Sequence, residues 1–155
     1  MSRGWWQVAA LAVLASALAW LAAACGDAPF SVTAAGPFSY PAPATLNPSL
    51  ERVAIVITIA SHSGDDLQIN PADFAARDAG HRLYAANVAA TAADASLVLR
   101  SPELRGTLPL PVVTLRRDDV LTGFVVFDVP AGVRLVELIW RQVDSDYTVR
   151  LDGES

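Results

Sequence analysis

The sequence predicts an all-β fold, an antiparallel β-sandwich, on three observations. Short runs of β-branched and aromatic residues alternate with period two. Clusters of Gly, Pro, Asp and Ser separate them. Beyond an apolar segment at the start, no stretch sustains a long helical period. At 155 residues the chain suits one domain with a real core and is short for two.

The first 24 residues do not share the sandwich pattern. Arg3 and the amino terminus form a short positive region. Residues 8–24 are then apolar apart from Ser16, and the run ends in LAAAC at 21–25. That is the three-part plan of a signal peptide, and its end resembles the lipobox of bacterial lipoproteins. Ala23 and Ala24 are the small residues before Cys25, and no charge lies in the six residues before Leu21. The resemblance implies a diacylglyceryl group on the Cys25 sulfur and cleavage between Ala24 and Cys25. Ala22 departs from the pattern, which usually has leucine there; Leu21 stands one place further out. The other reading is an uncleaved anchor helix, with Trp5 and Trp6 at the interface. About seventeen apolar residues at ~1.5 Å each reach ~25 Å, short of a ~30 Å hydrocarbon core.

Residues 25–49 carry prolines at 29, 37, 41, 43 and 48, which exclude a helix. They are expected to form a semi-extended tether to about Ala35, followed by a first edge strand, since Phe30, Val32, Phe38 and Tyr40 alternate. The domain proper is placed at 50–151, with 152–155 as a tail. Val53, Ile55, Ile57 and Ile59 share one face of a strong strand, and 61–66 is a polar turn. Residues 67–70 make a short strand stopped by Pro71. Residues 74–77 and 81–84 form a hairpin about Asp78-Ala79-Gly80. In 87–106 the alanines suit a helical turn, while 96–100 is expected to be extended. Strands follow at 112–115, 121–129 and 135–141, with Val136, Leu138 and Trp140 on one face of the last, and an edge strand at 147–151.

Residues 51–84, ERVAIVITIASHSGDDLQINPADFAARDAGHRLY, and 113–140, VTLRRDDVLTGFVVFDVPAGVRLVELIW, together resemble a known family. It is the immunoglobulin-like domain of unknown function found in many bacterial lipoproteins, whose members often carry a misapplied telomeric repeat-binding factor name. The secreted immunoglobulin-like antigen of mycobacteria belongs to the same structural group. The resemblance covers about 50–151 and rests on strand, turn and core positions. Arg116-Arg117-Asp118-Asp119 stands where the family usually has a Pro-Gly-acid turn. It implies an immunoglobulin-like sandwich, a membrane-anchored location and a binding role, and it carries over no functional residues.

Charge and chemistry narrow the function classes. The formal net charge is -5, and loss of the first 24 residues leaves ten arginines against sixteen acids, or -6. Nucleic acid and electrostatic adhesion to anionic headgroups both demand the opposite sign. Cys25 is the only cysteine, so no intramolecular disulfide forms. His62 and His81 fall in turns, where solvated side chains are the ordinary outcome. A zinc site would need further ligands such as Asp65, Asp66 or Asp78. Copper would call for soft ligands, and Met1 is the only methionine. Ser61-His62-Ser63 sets hydroxyl beside imidazole along the chain, which is not a triad in space. Asp65-Asp66 and Asp118-Asp119 lack the spacing of a calcium loop. Trp140 suits a core position better than a sugar platform.

No catalytic residue, metal site or cofactor is therefore expected, and the chain is not expected to be an enzyme. The expected location is the extracytoplasmic face of the cell membrane, reached through lipid on Cys25. The expected role is binding an envelope protein or a small ligand through loops 61–66, 86–96 and 116–119. The competing reading is a small exported metal-dependent factor or enzyme using His62, His81 and nearby acids.

Overall fold

The computed structural model describes residues 28–151. Residues 1–27, with Ala24 and Cys25 among them, and the tail 152–155 lie outside the described residues. Among the described residues nine strands make the sandwich: β1 (Phe30–Ser39), β2 (Leu50–Ser61), β3 (Leu67–Ile69), β4 (Phe74–Asp78), β5 (Leu83–Ala85), β6 (Val113–Leu115), β7 (Val120–Pro130), β8 (Leu135–Arg141) and β9 (Asp146–Arg150). One sheet has the order β1-β2-β7 and the other β5-β4-β8-β9, with a short β3-β6 ladder beside them. All strand pairings are antiparallel. Two short helices, α1 (Val88–Ala93) and α2 (Ala95–Val98), lie between β5 and β6. Among the described residues no helix is long and apolar enough to cross a membrane.

Alternation on β2 builds the main core. Val53, Ile55, Ile57 and Ile59 point inward with Val125, Phe127 and Val129 of β7, and meet Phe74, Ala76, Leu138 and Trp140 of the facing sheet. Burying each Ile fully contributes roughly 1.5–3 kcal/mol. Toward the Leu50 end the other face of β2 and β7 is buried too. Ala54, Phe124 and Val126 pack with Tyr40, Ala90, Val98 and Leu104 in a second core. The molecule thus has three layers: a helical cap, the β1-β2-β7 sheet and the β5-β4-β8-β9 sheet.

Three expectations need correction. β1 starts at Phe30, five residues before Ala35, because Phe30, Val32 and Ala34 pack against the main core. Pro37 sits inside this edge strand at a register shift between Ala35 and Phe38, where a missing N–H costs least. Residues 96–100 are not extended: Ala95–Val98 is helical. Asn87 caps the preceding helix by accepting from the Ala90 N–H at 2.9 Å, and Val98 is buried in the second core. A three-residue apolar run such as 97–99 is compatible with either period. Finally, Leu135 and not Val136 faces the core of β8. An irregularity where Arg77 pairs with Glu137 and Asp78 with Leu135 adds one residue and reverses the face.

The outer edge of β7 is closed at Phe124 and Val126. Phe124 donates to the Leu108 carbonyl at 3.0 Å and accepts from Leu110 at 2.9 Å. Val126 accepts from the Asn87 N–H at 2.8 Å and donates to Thr91 Oγ1 at 3.0 Å. These partners satisfy backbone groups that would otherwise recruit another strand. The seat for residues 108–110 requires Gly123, since a Cβ there would stand 2.7 Å from Leu110 Cα. Gly123→Ala is expected to destabilise the domain by about 1–3 kcal/mol in a denaturant melt, because backbone must move to admit the methyl. An unchanged midpoint would contradict this close seat.

Candidate functional site

The register defines two ends of the sandwich. Phe30 pairs with Ser61, and Ala60 with Val120, at one end. Leu50 pairs with Pro130 at the other. Phe30 packs on Trp140 at 5.0 Å and on Tyr147 at 4.4 Å between ring centroids, which places the β8–β9 turn at the Ser61 end. The turn after Pro130 leads to Leu135, whose partner Asp78 opens the β4–β5 hairpin, so that hairpin lies at the Leu50 end.

His62 follows Ser61, and His81 lies in the hairpin after Asp78, so the two histidines occupy opposite ends. Among the described residues no three His, Cys, Asp or Glu side chains cluster to hold a metal ion. Ser61 does not face His62 as a nucleophile would face its base. Its side chain is fully buried and its Oγ has no partner among the described residues, while His62 Nε2 lies 3.4 Å from Ser31 Oγ. In one turn Asp119 Oδ2 accepts from the Arg116 N–H at 2.7 Å; in the other it is the backbone N–H of Asp65 that donates to Ser63 Oγ at 3.0 Å. Asp78 accepts from the Arg82 N–H at 2.9 Å and from Tyr84 Oη at 2.9 Å. The Arg82 N–H is the main cause holding the Asp78 carboxyl below its usual range.

Loops 61–66 and 116–119 do converge, through the Ser61 N–H to Asp119 carbonyl and Asp118 N–H to Ser61 carbonyl bonds, both 2.9 Å. Residues 86–96 do not join them, because they form the helical cap. Trp140 is buried, stacked on Phe74 with centroids 5.6 Å apart, so it offers no platform to a sugar. An open depression of about 340 Å³ lies beside Val136, Glu137, Arg150 and Leu151, with Glu137 already 3.0 Å from Arg77.

The strongest polar constellation in the described domain was invisible in the sequence. Asp94 follows α1 and is nearly buried, with 6% of its side chain exposed. Its Oδ2 accepts from Tyr40 Oη at 2.7 Å and from Arg52 Nη1 at 3.1 Å. Arg52 also donates from Nε to Asp128 Oδ1 at 2.7 Å, and Asn87 Nδ2 donates to Asp128 Oδ2 at 2.8 Å. Burial first, and the bond to Asp94 second, push the Tyr40 hydroxyl far above its ordinary 10.0, so it stays a donor. The bond to Asp128 is the main cause raising the Arg52 pKa. Each carboxylate answers two donors, so the cluster clasps the cap to the sheet. Arg52 is the only charge within residues 52–61, but no local pattern names its partners.

No protein-family model matches the chain, and no curated protein matches it. Solved structures match in shape. The secreted protein MPT63 from Mycobacterium tuberculosis aligns with a TM-score of 0.53 at 14% identity, over 80% of this chain and 82% of that one. The yjhA protein from Bacillus subtilis aligns at 0.46 and 18% identity, over 79% and 90% of the two chains. The MPT63 likeness shows a shared β-sandwich fold.

Tyr40 tests the clasp. Its proton is held more tightly folded than unfolded, so the bond stabilises fully below about pH 10 and is lost as pH rises beyond it. Tyr40→Phe is expected to cost about 1–3 kcal/mol at neutral pH, and the gap from wild type should narrow above pH 10 in paired melts. A gap that stays constant through that range would contradict the assignment.

Proposed function

We propose that this chain is a membrane-anchored extracytoplasmic lipoprotein, cleaved between Ala24 and Cys25 and lipidated on Cys25. Its immunoglobulin-like sandwich acts as a non-catalytic binding or interaction module, of the kind found in many bacterial lipoproteins. The observation that carries the reading is the run 8–24 ending in LAAAC, followed within five residues by the first strand of a folded domain. A hydrophobic leader that stops so close to a docked β-strand is what an exported, tethered domain needs. The fold it shares with a secreted mycobacterial protein supports export. The separation of His62 from His81 weighs against the metal-dependent alternative.

The test is direct. Expressed in a bacterium with lipoprotein processing, the wild type should sediment with membranes. Mass spectrometry should find its N-terminus at a diacylated Cys25, and Cys25→Ser should abolish both results. An intact chain with an unmodified Cys25 would overturn the lipid anchor. A pull-down from envelope extract that recovers nothing above a control sandwich domain would overturn the binding role.

A further inference from the structure

The folded body grips the chain almost as soon as the proposed anchor ends. The Pro29 carbonyl accepts two backbone bonds, from His62 at 2.8 Å and from Ser63 at 2.9 Å. Phe30 then pairs with Ser61 and packs its ring between Trp140 and Tyr147. Between Cys25 and Pro29 stand only residues 26–28, so the two Cα atoms are separated by at most about 14 Å of extended chain. Pro29 lies at the Ser61 end. The Leu50 end lies a whole strand away: β2 has 12 residues, which at ~3.3 Å each span roughly 35–40 Å.

We infer that the sandwich stands end-on at the bilayer, with the turns 62–66, 116–119 and 142–145 facing the headgroups and the Leu50 end facing outward. This rests on the lipid anchor at Cys25 proposed above. A short leash fixed at one end of an elongated body brings that end to the surface. The surface it meets is the lipid headgroup layer, approached without adhesion. Asp65, Asp66, Asp118, Asp119 and Asp144 lie in these turns against Arg116 and Arg117, so they repel anionic headgroups, and the anchor alone holds them near. Two of the loops that sequence reasoning offered as binding surfaces, 61–66 and 116–119, are thereby turned toward the membrane. A partner approaching from outside meets loop 41–49, the hairpin tip 79–82 and the turn 131–134.

Two exposed turn positions report the orientation. Val143 is 100% exposed in the β8–β9 turn, and Ala79 is exposed at the hairpin tip. Each is changed to Cys in the full chain, processed in the bacterium and labelled with a thiol-reactive fluorophore. An acylated Cys25 takes no label, so the new thiol alone is marked. The proteins are reconstituted into phosphatidylcholine vesicles carrying nitroxide-labelled headgroups. Quenching at Val143→Cys is expected to exceed that at Ala79→Cys several-fold. Equal quenching at the two sites, or stronger quenching at Ala79→Cys, on protein that floats with the vesicles would overturn the orientation while leaving the anchor intact. Protein that fails to float, with Cys25 taking label in the wild type, would instead overturn the anchor and the orientation with it.

Discussion

The structure depends on one constraint: toward the Leu50 end, β2 and β7 are buried on both faces. A strand of a two-layer sandwich shows one face to water; β2 does so at Thr58, which pairs with Thr122 at 2.9 Å on the exposed side, but not at Ala54. Its odd residues from Val53 to Ile59 fill the space between the sheets, while Ala54 packs under the helical cap with Phe124 and Val126. Strands covered on both sides favour near-continuous apolar sequence, and VAIVI at 53–57 follows that rule. The cap is therefore part of the core, because removing it would expose Phe124 and Val126 to water.

Once a sheet is covered on its outer face, the polar groups trapped there need partners. The clasp of Tyr40, Arg52, Asn87, Asp94 and Asp128 meets that demand at the Leu50 end. Asn87 and Thr91 do the same for the β7 backbone at Val126. These residues join the cap to the sheet by bonds that have direction, where the apolar contacts have none.

Much of this was legible in the sequence. Period two located β2, β7, β8 and β9 and the β4–β5 hairpin, because each has one face committed to the main core. The failures share a cause. β1 was assigned too late because prolines signal a tether, whereas Pro37 lies on an unpaired edge at a bulge, where its missing N–H breaks no ladder bond. Residues 96–100 suit an extended run by sequence, but Ala95–Val98 is helical because its apolar residues serve a third layer that periodicity does not reveal. The face of β8 was misjudged by one bulge at Leu135. The clasp joins residues from four separate segments, and no local pattern brings Tyr40 to Asp94.

A short leash, two distinct ends and a cap packed on the β1-β2-β7 sheet give a rigid body on which an outward surface can be displayed. That rigidity depends on the cap being integral to the domain. Native-state hydrogen exchange tests this most directly. The amides of Thr91, Asp94 and Val98 should open with the same free energy as those of Ile55 and Ile57, in the global unfolding event. Exchange of the cap amides through a separate opening of much lower free energy, with β2 still protected, would contradict the account.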